Sequence, residues 1–246
     1  MQISNSIALV TGANRGIGKA YVEALAKAGA QRIYAAARSI ESLQPIIAIA
    51  PDRIIPLALD ITKLEEINAA AGIAGDVNLL INNAGVLGGG SGAFAEDSVE
   101  TARRELDINF FGTFNMCRAF APILKNNGGG VLVNLLSIAS IVGIPAISSY
   151  CASKAALHVL TQGIRTELKV QGTLVVGVYP GPIDTDMAAG IDMDKVPPLS
   201  VAERTLAAIE QNSEEVYPDP VAEQVFAGMH TPMKAVEQQF AGMMPA

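Results

Sequence analysis

The chain has 246 residues and a formal net charge of −7, from 24 acidic and 17 basic side chains. That balance argues against nucleic acid and anionic membrane as main partners. Half of the residues are apolar and 17% are charged, which suits one large α/β domain over 1–246 and points to some burial between subunits.

In chain order, 6–10 is a short apolar run ahead of a glycine loop and reads as a parallel strand buried on both faces. A helix is expected over 17–28, stopping at Gly29. Strand two covers 32–37, a helix 40–50, and strand three 54–59. Thr62 and Glu65 have the spacing of a capping box for a helix over 63–71. Strand four covers 77–81, and 88–93 reads as a flexible loop. One long helix is expected over 98–125, broken off by Asn126, Asn127 and three glycines. Strand five covers 131–136, another long helix about 149–170, and strand six 173–178. Gly190, Pro197 and Pro198 mark 186–199 as a mobile segment. A helix over 201–211, a short strand over 215–217, and helical pieces near 221–227 and 233–241 complete the chain. This alternation demands right-handed crossovers and a doubly wound parallel sheet of about seven strands, a Rossmann-like three-layer sandwich.

The stretch 126–153 carries no Lys, Arg, Asp or Glu. Its glycines, five serines, Asn134 and Pro145 exclude a membrane-spanning helix. The first five residues lack the basic and apolar regions of a signal peptide, so a cytoplasmic location is expected. Cys117 and Cys151 are expected to be reduced core residues. His158 and His230 have no ligand cluster around them, so no metal site is expected.

Three motifs carry chemistry. Gly12, Gly16 and Gly18, with Asn14, Arg15 and Ile17 between them, lie between the first strand and its helix. Missing side chains let the backbone turn tightly, and a helix N-terminus offers N–H groups to a pyrophosphate. Strand two ends without the acid that accepts from ribose hydroxyls in NAD sites; Arg38 follows it directly. Arg38 and Arg15 together suit a 2′-phosphate, hence NADPH/NADP+. Finally, Tyr150 and Lys154 are four apart, one helical turn from each other. An isolated pair of this kind is more often a surface tyrosine above a solvated lysine. In this apolar stretch the ammonium is expected to favour the phenolate and lower the tyrosine pKa, fitting the phenol to give or take a proton.

The ordered set of the glycine loop, Asn82-Asn83-Ala84-Gly85, Asn109, Ser137, Tyr150, Lys154 and Pro180-Gly181-Pro182-Ile183-Asp184-Thr185 resembles the classical short-chain dehydrogenase/reductase family, in its NADP(H)-preferring carbonyl reductase form. The resemblance covers roughly 5–220 and implies a site. Tyr150 would be the general acid in reduction and base in oxidation. Lys154 would also bond the nicotinamide ribose, and Ser137 would fix the substrate oxygen. Asn109 would hold a water that feeds protons to the lysine. It further implies that Asp60 and the Ile61 backbone meet the adenine, and that Asn83, Ala84 and Gly85 admit the adenosine ribose. Asn82 is read as structural. Pro180, Gly181, Ile183 and Thr185 would hold the carboxamide and select the nicotinamide face.

The substrate pocket is expected from Leu87, Phe94, Ala139, Ile141, Ile144, Ala146 and Met187, an apolar set without a fixed cation. A neutral ketone, aldehyde or secondary alcohol fits it, with 186–199 closing over as a lid. A 3-ketoacyl-thioester reductase acting on an acidic carrier protein is an alternative, docking on Arg118, Lys125, Arg165 and Lys169. A cofactor-sensing regulator without catalysis, or a component of an assembly, are others. The two long helices would pair across a two-fold axis in a homodimer or homotetramer, as the resemblance implies.

Overall fold

The structure is a computed structural model that describes residues 1–88, 92–190 and 192–229. Seven parallel strands form one sheet: β1 (Ile7–Thr11), β2 (Arg32–Ala37), β3 (Ile54–Ala58), β4 (Leu79–Asn82), β5 (Val131–Leu135), β6 (Leu174–Val178) and β7 (Glu215–Val216). Their spatial order is β3-β2-β1-β4-β5-β6-β7. The central strands are buried along almost their whole length, which explains their uninterrupted apolar runs. The order in which successive strands are added reverses at β1, which pairs Val10 with Ala35 of β2 on one side and Ile81 of β4 on the other. Open parallel sheets bind ligands at such a switch point, beyond the carboxyl ends of the strands.

Helices α1 (Gly16–Lys27), α2 (Gln44–Ile47), α3 (Leu64–Ile73), α4 (Ser98–Glu105), α5 (Thr113–Asn126), α6 (Ser148–Lys169), α7 (Pro198–Glu210) and α8 (Pro220–Gly228) flank the sheet. On one face α1 packs against α7, and Tyr21 and Thr205 share a buried 2.9 Å hydrogen bond between them. Leu25, Ile33, Ile81, Val133 and Ile209 fill that layer. On the other, Ile67, Leu80, Phe120, Leu124 and Leu132 join α3, α5 and the sheet. Each of these side chains is almost fully buried, contributing about 1.5–3 kcal/mol to the hydrophobic core.

Three expectations are corrected. The helix at 40–50 shrinks to a 3-10 turn, Glu41–Leu43, and the single turn of α2. Pro45 suits the first turn of α2 but limits what precedes it. No Thr62 capping box forms: α3 starts after Lys63, which makes no side-chain cap. Instead Asp60 Oδ1 accepts from the Thr62 N–H and hydroxyl, at 3.0 and 2.8 Å, and Glu66 accepts from the Asp60 N–H at 2.7 Å. Asp60 captures Thr62 because a two-residue Asx turn closes more readily than a helix cap that would need the chain to turn later. The long helix of 98–125 is not uniformly α: Leu106–Gly112 widens into a π-helix between α4 and α5. Within 186–199, Asp186–Ala188 forms a 3-10 turn and Val196 bridges to Ile183. The helical piece at 233–241, His230 and part of the 88–93 loop lie outside the described residues. Among the described residues, no helix is long and apolar enough to cross a membrane.

Candidate active site

The glycine loop follows β1 and turns into α1. Gly12 and Gly16 have φ of +64° and +54°, the left-handed region that glycine adopts without steric cost. Gly18 is required by contact, since a Cβ there would sit 2.1 Å from the Gly12 carbonyl oxygen. Asn83 ties this loop to the end of β4: its Nδ2 donates to the Thr11 and Gly12 carbonyls at 2.8 and 3.2 Å. The Thr11 hydroxyl in turn accepts from the Asn83 and Ala84 N–H groups, both at 3.0 Å. Asn83 therefore shapes the crevice with its side chain. Asn82 is buried one residue earlier and donates to Asn134 Oδ1 on β5 at 2.9 Å.

The end expected to meet adenosine comprises Asp60, Ile61 and Arg38. Burial acts to raise the Asp60 carboxyl, but the Thr62 backbone and hydroxyl bonds, with the charges of Lys63 and Arg38, hold it below the usual carboxylate range. Arg38 is exposed at the exit of β2 and close enough to act on Asp60. Ile61 is buried against the π-helix, where a Cβ on Gly112 would come within 3.0 Å of it. Arg15 and Asn14 stand at the rim, and Ile17 packs on the core. Arg15 is not drawn together with Arg38 by any described bond. It makes an exposed ion pair with Asp186 at 2.9 Å, which links the glycine loop to the 186–199 segment. Beyond β6, Pro180 and Ile183 are buried, Asp219 accepts from the Gly181 N–H at 2.7 Å, and Thr185 lies against Gly16, where a Cβ would meet its methyl at 3.3 Å. The crevice thus has glycine-loop backbone on one wall, small residues Ala84 and Gly85 on its floor, and Pro180–Thr185 opposite. These residues suit a dinucleotide: an anion-accepting helix start, a small-residue floor and a cation beside the acid of the adenosine end.

Ser137, Tyr150 and Lys154 converge at the other end. Ser137 caps the 3-10 turn Ile138–Ser140; its hydroxyl accepts from the Ala139 N–H at 3.1 Å and donates to the Pro180 carbonyl at 3.4 Å. It also acts on the Tyr150 phenol, favouring its ionised form against the effect of burial. Tyr150 is half-buried in the first turn of α6, while Lys154 is 4% exposed. Lys154 Nζ lies 5.9 Å from the centre of the Tyr150 ring and donates to the Leu135 carbonyl at 2.8 Å. A Cβ on Gly85 would sit 3.5 Å from that nitrogen, so the lysine borders the crevice floor.

The expected lowering of the tyrosine pKa by its lysine is not found in the chain alone. Burial raises the phenol to about 12, opposed by the Ser137 hydrogen bond and assisted by the charge of Glu105. Burial also lowers Lys154 to about 8. Both groups are desolvated together, and the ammonium directs its described bond to Leu135 rather than to the phenol oxygen.

Asn109 lies in the π-helix, fully buried. Its Oδ1 accepts from the Val86 N–H at 2.8 Å, and its Nδ2 donates to the Val86 carbonyl and Ser153 hydroxyl, both at 2.9 Å. The side chain is occupied in joining the end of β4 to α6. π-turns recur at functional sites because they redirect one side chain without ending the helix. Glu105, one turn earlier, was passed over by the sequence reading. A glutamate within an amphipathic helix reads as solvated, and only the packing buries it to 1% exposure.

The substrate-side residues are less gathered. Leu87, Ile141 and Ile144 are partly buried, and Ile141 packs near Leu136 and Tyr179. Ala139 is buried beneath its 3-10 turn and offers little surface. Ala146 is exposed, with φ of +69°, and its carbonyl accepts from the Gly92 N–H. Met187 is about half exposed. Phe94 is fully exposed and forms no wall: Gly92 is its loop's described tether to the 141–147 segment, and the ring stands outside that contact. Cys117 and Cys151 are free and buried, and among the described residues no cluster could hold a metal ion.

This geometry has close relatives. A family model described as short chain dehydrogenase matches residues 6–195. An uncharacterised oxidoreductase of Staphylococcus aureus (strain MRSA252) is 32% identical over 217 residues, covering 85% of this chain and 93% of that protein. A short-chain dehydrogenase of Burkholderia cenocepacia J2315, solved in complex with NADP, superposes with a TM-score of 0.89 at 39% identity and full coverage of both chains. A 7α-hydroxysteroid dehydrogenase, complexed with NADH and 7-oxo glycochenodeoxycholic acid, gives 0.79 at 25% identity, covering 86% of this chain and 91% of that one. The fold, the switch-point crevice and the match over most of the chain place it in the classical short-chain dehydrogenase/reductase family of oxidoreductases.

Proposed function

We propose that the protein is an NADPH-dependent carbonyl reductase that converts a neutral ketone or aldehyde to an alcohol, reversibly. The carrying observation is that Tyr150 stands over the buried Lys154, whose Nζ lies 5.9 Å from its ring centre and borders Gly85, with the Ser137 hydroxyl acting on the phenol. When bound, the nicotinamide supplies the hydride. The chain's own groups manage the charge that then develops on the substrate oxygen. Ser137 holds that oxygen, and Tyr150 donates its phenolic proton to it. A phenol raised by burial is in its donor form at neutral pH, which suits the reductive direction. Lys154, near 8, remains largely protonated at pH 7 and stabilises the phenolate left behind. Asn109 keeps the end of β4 and α6 in register.

Arg38 beside Asp60 favours the 2′-phosphate, and the Burkholderia relative's NADP complex agrees with that preference. The Glu105 charge felt at Tyr150 works against an anionic substrate, as does the lack of a cation among the partly buried pocket residues. The carrier-thioester alternative is weakened because Arg165 is engaged by Glu214 and Glu215, at 3.6 and 3.7 Å, and by two backbone carbonyls. We also infer a homo-oligomer through α4, the π-helix that follows it and α6, whose exposed Val99, Phe111 and Val159 lack cover within the chain. The deciding experiment is a panel of ketones, alcohols and ketoacyl thioesters with NADPH and NADH. Turnover of neutral ketones, abolished by Tyr150→Phe, supports the reading. Absence of turnover with bound cofactor sinks it.

A further inference from the structure

A buried carboxylate is normally paired with a cation or hydrogen-bonded through both oxygens. Glu105 is neither. Among the described residues it enters no ion pair, its Oε1 accepts the Gly88 N–H at 2.7 Å, and its Oε2 is buried without a partner. Four residues on, Asn109 holds both backbone groups of Val86. Asn109 and Glu105 thus meet alternate residues of the chain leaving β4, Asn109 at Val86 and Glu105 at Gly88. Gly88 must lie directly on α4, since a Cβ there would meet the Thr101 methyl at 2.2 Å and Glu105 Oε1 at 3.1 Å. Gly85, at the other end of this stretch, borders Lys154.

We propose that Glu105 is a positioning residue of the substrate site, clamping Gly88 with Asn109 on Val86 so that Leu87 is held in place beside Tyr150 and Lys154. The unpaired Oε2 shows that fold stability alone does not account for the residue, because an apolar side chain of similar volume would fill the site without burying a charge. Loss of a buried, half-satisfied carboxylate at a functional site commonly stabilises a protein while impairing it.

The kinetic arm of the test rests on the carbonyl-reductase reading; amide exchange does not. In full-length Glu105→Leu, the KM for a neutral ketone rises about tenfold while NADPH affinity stays within about twofold and Tm does not fall, with exchange at 86–88 accelerated about tenfold. In Glu105→Gln, whose amide oxygen still accepts from Gly88, KM and exchange return to within about threefold of wild type. A Leu variant with wild-type KM and exchange overturns the proposal, and so does a Gln variant as impaired as Leu. Should Leu not fold, a Gly88 amide in the wild type that exchanges as fast as a free loop overturns it equally. Should no ketone be turned over by the wild type, the function proposed above fails, and exchange alone still decides the clamp.

Discussion

The two ends of the crevice are built differently. The cofactor end is made of strand termini and a glycine loop locked by short-range geometry: Thr11, Gly12, Asn83 and Ala84 bond one another, and Gly18 fits only because it has no side chain. The substrate end hangs on single tethers. Glu105 holds Gly88, Ala146 holds Gly92, and Arg15 meets Asp186 across solvent. An exposed ion pair of that kind contributes at most about 1 kcal/mol. Under the proposed function, a dinucleotide would be met by tightly bonded backbone, whereas substrate selection would be left to segments held by few bonds.

Substitutions can break this division. The largest effect is expected from Tyr150→Phe, which should lower kcat by about 10²–10⁴-fold while cofactor affinity, measured by fluorescence titration, stays near wild type. Equal loss of both would mean that the two ends are not separable. Lys154→Met comes next. Lys154 drops from an ordinary 10.5 to about 8 on folding, so below pH 8 its burial opposes folding by about 3 kcal/mol. Between pH 8 and 10.5 the unfolded chain binds more protons than the folded one, so that penalty fades as pH rises. The variant should therefore gain in Tm relative to wild type at pH 7, and the gap should narrow toward pH 10. A gap independent of pH would place the lysine's folded pKa near its ordinary value.

Gly18→Ala drives a methyl into the Gly12 carbonyl and should weaken cofactor binding at least tenfold and stability by about 1–3 kcal/mol. An equal change in ketone KM at saturating cofactor would blur the division. Smallest is Arg38→Asp, expected to shift preference toward NADH by about tenfold with ketone KM unchanged. Unchanged selectivity would clear Arg38 of the phosphate role.

Much of this was legible in residue order. Largely apolar runs located the first six strands, and the spacing of Gly12, Gly16 and Gly18 placed the glycine loop at the first crossover. Tyr150 and Lys154 do share one turn of α6. The Thr62 cap was misread because Asp60, two residues away, competes for the same hydroxyl. Phe94 was misplaced because an apolar side chain in a loop says nothing about which way the loop leans.

Local rules act through the backbone and near neighbours, so strand periodicity, glycine conformation and helical spacing are already present in the chain as written. Burial is a property of what surrounds a group, and it is the main reason that Tyr150 is raised and Lys154 lowered and the reason that Glu105 is enclosed. Those surroundings come from strands and helices far apart in sequence, as when Asn109 reaches both Val86 and Ser153. The electrostatics of the site therefore had to await the packed molecule, although its parts could be named beforehand.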